Sequence, residues 1–166
     1  MELTEINTLL EKLSNAHGIS SRESEIAKII RAEIADYVDE IKTDKMGNLI
    51  AVKKGGDFKI MLAAHMDEIG LMVQFVDDHG FIRFVAVGGW YNPVMVGQRV
   101  ILHGEKGPIY GVLGNKPPHV MTEEDKKKPI DMADLFIDVG ARSPDEVEAL
   151  GITVGTSVTM DREYVK

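Results

Sequence analysis

The stretch KIMLAAHMDEIGLMV, residues 59–73, contains the transition on which the organisation of this chain depends. An apolar run leads to His65, Asp67 and Glu68, and after Gly70 the chain becomes apolar again. On the N-terminal side, FKIMLAAH is predicted to be a strand that is apolar on both faces in its later half, as in a sheet covered by helices. On the C-terminal side, short apolar runs separated by Gly and Pro turns predict a small all-β barrel or sandwich.

The sequence before this stretch predicts two helices and two further strands. Apolar residues recur at helical spacing over residues 3–16, and Ser20 and Glu23 are spaced as a capping box for a second helix. VDEIKTD and LIAVKK then follow a period of two around the turn at Gly47. We therefore expect residues 1–68 to form an α/β domain of two helices and about three strands. That domain is expected to be incomplete, since one edge of its sheet would have no strand to pair with and one face would have no element packed on it.

The region after residue 68 is expected to be a barrel-like β module over residues 69–160. One helix is predicted within it, in SPDEVEALG, where Ser143 caps the helix, Pro144 occupies the first helical position and Gly151 ends it. This helix is expected to be exposed. For Trp90 and Tyr91, beside Pro93, the sequence leaves two alternatives open, an exposed contact surface and a core position.

Composition excludes several classes of function. The net charge of -8 argues against a nucleic-acid partner, because phosphate neutralisation needs clustered Lys and Arg. The chain has no cysteine, so any metal must be held by His, Asp or Glu. The charged, amphipathic N-terminus has no apolar signal-peptide core, and no apolar run approaches the roughly 20 residues of a membrane span. We expect a cytoplasmic protein with no membrane partner.

His65 and Asp67 are the candidate site residues. On a strand, positions i and i+2 point to the same face, so the carboxylate could accept a hydrogen bond from one imidazole nitrogen while the other binds a metal. A His-x-Asp sequence also occurs where a strand meets water, and a catalytic zinc site takes about three protein ligands. The residues alone therefore leave both interpretations open. The remaining histidines are expected at the surface: His17, His79, His103 and His119.

Six blocks of sequence extend the interpretation. They are TDKMGNLIA (43–51), LAAHMDEIG (62–70), GGW (88–90), VGQRV (96–100), GVLGNKPPH (111–119) and DLFIDVGARS (134–143). Together they resemble the tetrahedral-aminopeptidase family, which contains deblocking and glutamyl-type metalloaminopeptidases, some of them labelled endoglucanases. A glycan-cleaving enzyme would need two facing carboxylates roughly 5–10 Å apart, and no such pair can be nominated here.

The resemblance implies an aminopeptidase that removes N-terminal residues from peptides with two metal ions, zinc or cobalt. It implies an α/β catalytic domain interrupted by the β module, with residues 161–166 beginning the return to that domain. Family members assemble through the module into dimers and twelve-subunit tetrahedra, so a homo-oligomer is expected. By the same resemblance, His65 is a metal ligand and Asp67 orients it.

The sequence also departs from the family pattern. The family's Asp-Asp-Arg segment, Glu-Glu pair and later ligands are not found. Asp161-Arg162 is not taken as the Asp-Asp-Arg segment, because the residues that precede that segment in the family are missing before it. The chain is thus expected to be the N-terminal part of a metalloaminopeptidase that is inactive alone, or a non-catalytic assembly fragment. His17 and Ser21 stand where relatives often have Pro and Gly.

Overall fold

A computed structural model describes residues 2–166, which divide into two compact units. Unit 1 contains the residues up to Glu68 together with Glu163–Lys166, and unit 2 is Ile69–Arg162. None of the helices within residues 2–166 combines the length and the apolar character needed to cross a bilayer. The predicted fold class, a partial α/β domain with a small β barrel, is confirmed.

Unit 1 contains two helices and a two-stranded antiparallel sheet. The helices are α1 (Leu3–Ser14) and α2 (Ser24–Ile34), and the strands are β1 (Glu40–Thr43) and β2 (Leu49–Val52). An ion pair between Lys12 and Glu33 joins the helices, and the Tyr164 N–H donates to Asn15 Oδ1 at 2.8 Å. This last bond attaches the final residues to the end of α1.

The turn between β1 and β2 is closed by Asp44. Its Oδ1 accepts from the N–H groups of Met46 and Asn48 at 2.9 Å each, and its Oδ2 accepts from the Asn48 side chain at 2.9 Å. These bonds, led by the Asn48 side chain, hold the pKa of Asp44 below its ordinary value. Gly47 takes a φ of +91°, which glycine adopts at little cost.

The predicted third strand differs from the structure. FKIMLAAH forms no ladder with another strand in the described residues, and Phe58 and Leu62 expose 85% and 93% of their surface. The composition suits a buried strand, but a strand also needs a hydrogen-bonded neighbour. Neither β1 nor β2 pairs with it.

Unit 1 therefore has little core of its own. The apolar face of α1 is not fully buried, since Leu3, Ile6 and Leu10 are exposed. Among the buried apolar side chains in the described residues, unit 1 contributes Ile19 and Ile26. Both belong to the segment from the α1–α2 loop into α2, which makes this segment the best-packed part of the unit.

Unit 2 is a closed antiparallel barrel with strand order β3-β4-β7-β6-β5-β8. Its strands are β3 (Gly70–Val76), β4 (Ile82–Val87), β5 (Arg99–Gly104), β6 (Gly107–Gly114), β7 (Phe136–Asp138) and β8 (Ser157–Met160). Closure removes the free edges that an open sheet would leave. Fully buried side chains fill the interior, among them Ile82, Val100, Leu102, Leu113, Ile137 and Val158.

The predicted helix in unit 2 is present as α3 (Pro144–Ala149). Its cap is confirmed, because Ser143 Oγ accepts from the Glu146 N–H at 3.3 Å. The expectation that this helix is exposed is wrong for one face, since Val147 is fully buried in the barrel core. Trp90 packs against the same core and donates from Nε1 to the Gly70 carbonyl at 3.0 Å, which favours the core alternative for Trp90. Tyr91 is 70% exposed, which favours the surface alternative for that residue.

Candidate functional site

The loop between α1 and α2 is held against the segment that carries the candidate residues. Ile19 and Glu68 form a parallel β-bridge, in which the Glu68 N–H donates to the Gly18 carbonyl at 2.8 Å. The Gly18 N–H donates in turn to the Glu68 carboxylate at 3.3 Å. Because Ile19 is almost completely buried, the loop is anchored by packing as well as by hydrogen bonds.

Ser20 has a different partner from the one the sequence predicts. Helix α2 begins at Ser24 with Glu23 as its N-cap residue, so the predicted capping box is wrong. The Glu23 carboxylate accepts from the Ser21 N–H at 2.6 Å, and the Ser20 hydroxyl donates to Asp67 Oδ2. The spacing S-x-x-E suggested a helix cap, whereas the actual partner lies 47 positions away and leaves no local signal.

The structure brings His65 and Asp67 together. His65 Nδ1 lies 3.0 Å from Asp67 Oδ1 and also 3.0 Å from the Asp67 carbonyl oxygen. Both oxygens are acceptors, so the ring nitrogen between them must carry the proton and donate. In the neutral imidazole the lone pair is then on Nε2, the form in which a histidine binds a metal through that atom.

The Asp67 carboxylate is kept ionised by its two partners. The Ser20 hydroxyl first, and the His65 side chain second, hold the pKa of Asp67 below its ordinary value of about 3.8. A third of the Asp67 side chain is exposed, while the His65 side chain is 86% exposed. The histidine is therefore accessible to a ligand, and the Asp67 carboxylate that it contacts is the more enclosed of the two.

The pair borders a cleft of about 360 Å³ within unit 1. The α2 side of the cleft contributes Glu23, Ile30 and Ile34. In residues 2–166, no group of three or more His, Asp or Glu side chains is arranged to hold a metal. Among the described residues, the cleft therefore provides one imidazole hydrogen-bonded to one carboxylate.

The sequence profile of the M42 glutamyl aminopeptidase family matches residues 47–166, well over half of the chain. A curated relative, the lysyl aminopeptidase of Pyrococcus furiosus, is 41% identical over 150 residues. That match covers 89% of this chain and 43% of the relative. The chain thus spans less than half the length of the enzyme it resembles.

Solved structures give the same result. The TET aminopeptidase from the marine sediment archaeon Thaumarchaeota archaeon SCGC AB-539-E09 superposes with a TM-score of 0.91 at 34% identity, over 95% of this chain and 45% of that one. The Pyrococcus horikoshii TET1 peptidase, which can assemble into a tetrahedron or a large octahedral shell, superposes with a TM-score of 0.83 at 38% identity, over 94% and 46%. The resemblance seen in the sequence blocks is confirmed, and this chain belongs to the M42 glutamyl aminopeptidase family.

Proposed function

We propose that this chain supplies part of the active site of a two-metal aminopeptidase that removes N-terminal residues from peptides. In this proposal His65 is a metal ligand through Nε2, and Asp67 orients the ring by accepting the Nδ1 proton. The observation that carries the proposal is the position of His65 Nδ1 between two acceptor oxygens, which leaves Nε2 unprotonated in the neutral ring.

The residues present fit one ligand of such a centre. An imidazole and carboxylates without thiols suit zinc or cobalt, and a zinc centre takes about three protein ligands. When bound, the metal pair would polarise the peptide carbonyl and activate water. The contribution of this chain is to present His65, to hold its proton at Nδ1, and to keep that arrangement in place through Asp67.

A hybrid enzyme tests the proposal. The matched part of the Pyrococcus furiosus lysyl aminopeptidase would be replaced by this chain, leaving the other 57% of that enzyme in place, since the match covers 43% of it. We expect the hybrid to hydrolyse aminoacyl anilides with added zinc or cobalt and to lose activity with a chelator. A folded hybrid that hydrolyses these substrates equally well in excess chelator would contradict the two-metal proposal.

The isolated chain is expected to be inactive, because the described residues include no group of three or more side chains that could hold a metal, and a two-metal centre needs several ligands. Metal-dependent turnover by the purified chain, above that of a His65→Ala variant, would contradict this. The inactivity prediction and the hybrid assay are independent, since either can fail without the other.

A second candidate function is assembly through the β module, residues 69–160. Tyr110 and Val112 support it, because these side chains of β6 are exposed on a barrel whose interior is already filled. We propose that the chain forms homo-oligomers through this module. Light scattering should give a molecular mass above that of one 18.3 kDa chain. The Val112→Lys variant should have a lower mass than the unaltered chain. A monomer at high concentration would contradict the proposal.

A further inference from the structure

We propose that Ser20 is a positioning residue for the His65–Asp67 pair. Its hydroxyl holds Oδ2 of Asp67, which leaves Oδ1 to accept from His65 Nδ1 beside the Asp67 carbonyl and so further favours the tautomer with Nε2 unprotonated. The consequence for metal binding rests on the proposed function, whereas the effect on the imidazole does not.

The two oxygens of Asp67 have separate partners. A carboxylate with one partner can rotate about its terminal torsion, since that torsion has a broad energy profile. With Ser20 on one oxygen and His65 on the other, rotation would break two hydrogen bonds to an ionised group, which are stronger than neutral ones. The hydroxyl therefore stabilises the orientation of Asp67 in which Oδ1 faces the imidazole.

Ser20 is itself held in place by its neighbours. The Ile19–Glu68 bridge and the burial of Ile19 fix the backbone immediately before it. Gly18 packs so closely on α2 that an added Cβ would come within 2.8 Å of Ile26 Cγ2. The backbone that carries the Ser20 hydroxyl is therefore held in position by its neighbours. A residue that orients a functional group needs such support.

A merely structural role would also be consistent with a hydrogen bond between the loop and the segment carrying Asp67. The two roles differ in what they do to the imidazole. A structural tie would change stability and leave the tautomer of His65 as it is. A positioning role would change the tautomer, even in a variant whose stability is restored or unaffected.

The experiment is a long-range ¹H–¹⁵N NMR measurement of histidine tautomers on the full 166-residue chain, at about pH 8, above the usual histidine pKa of about 6.5. We expect His65 to be mainly the Nδ1–H form. Ser20→Ala should lower the share of that form, because the Asp67 carbonyl then remains the one fixed acceptor for Nδ1, and Ser20→Thr, which retains a hydroxyl, should restore it. Ser24→Ala, an exposed serine at the start of α2, is the matched control and should have no effect.

Two results would overturn the proposal. One is a His65 that is mainly Nε2–H in the unaltered chain, and the other is a tautomer unchanged by Ser20→Ala in a chain whose circular dichroism shows it folded. Zinc titration of the hybrid enzyme separates the proposed function from this inference. Ser20→Ala should weaken zinc binding by less than the roughly 10- to 100-fold typical of losing a direct partner of a metal ligand, because Ser20 acts through Asp67. If the tautomer shifts while His65→Ala leaves zinc binding unchanged, Ser20 positions the histidine and the proposed metal role fails.

Discussion

Replacing Ser21 by glycine should stabilise unit 1. Ser21 has a φ of +69°, in the left-handed region, and it is the one non-glycine residue there among those described. An L side chain in this conformation costs roughly 1–2 kcal/mol, and glycine avoids that cost. Glycine also gains about 0.4–1 kcal/mol of freedom in the unfolded chain, which partly offsets the benefit. The net expectation is a stabilisation of about 0.5–1 kcal/mol.

The contacts of Ser21 support this magnitude. Its N–H donates to the Glu23 carboxylate at 2.6 Å, and its carbonyl accepts from the Arg22 guanidinium at 3.1 Å. Both bonds use the backbone, so Ser21→Gly retains them, and the side chain it removes belongs to an exposed residue. The substitution therefore changes the torsional cost and little else.

Urea unfolding with two probes is the assay. Far-ultraviolet circular dichroism reports mainly α1 and α2 in unit 1, while Trp90, the single tryptophan, reports unit 2 by fluorescence. At a slope of about 2 kcal/mol/M, the dichroism midpoint should rise by roughly 0.3–0.5 M. The fluorescence midpoint should stay in place. Ser21→Ala, which keeps a Cβ, should give no gain. A lowered dichroism midpoint for Ser21→Gly, or an equal gain with Ser21→Ala, would refute the reasoning.

Three further outcomes are expected. Leu113→Ala, at a fully buried barrel position, should lower the free energy of unfolding by about 3–5 kcal/mol, followed by Trp90 fluorescence. A loss below about 1 kcal/mol would contradict the close packing of Leu113 in the barrel. Leu62→Ala, at a position 93% exposed, should change the dichroism transition by less than about 0.5 kcal/mol, and a loss as large as that of Leu113→Ala would show that Leu62 is buried in solution. The Asp44 carboxyl should titrate below about 3.8 by NMR, so its bonds contribute stability above that pH and lose it as the pH falls through the folded-state pKa. Asn48→Ala should raise the pKa of Asp44. An Asp44 pKa that is the same in this variant and in the unaltered chain would contradict the role given to the Asn48 side chain.

Local signals in the sequence predicted much of the fold. The helical spacing of apolar residues located α1 and α2, and the Ser143 cap with Pro144 located α3. The burial of Val147 was missed because α3 is too short for periodicity to indicate which face meets the barrel. The closed barrel was predicted as one of two β architectures, since strand number and turns do not distinguish a barrel from a sandwich.

Long-range pairing was the part that could not be predicted. FKIMLAAH has the residues of a buried strand, yet whether it joins a sheet depends on a neighbour that sequence spacing does not reveal. The site shows the same limit. The spacing of His65 and Asp67, two residues apart, predicted that they share a face, whereas the contact from Ser20 to Asp67 joins positions 47 residues apart. The S-x-x-E pattern assigned Ser20 to the helix instead.

Metal content and activity of the hybrid enzyme test the role of His65 most directly. With His65 in place, the hybrid should bind the metal pair and hydrolyse aminoacyl anilides. His65→Ala should remove bound metal and lower kcat/KM by more than roughly 10- to 100-fold. That range is typical of losing a group that only hydrogen-bonds a metal ligand. His79→Ala, at an exposed turn position, is the matched control and should change neither quantity. A His65→Ala hybrid with unchanged metal content and unchanged kcat/KM would show that His65 is not a metal ligand.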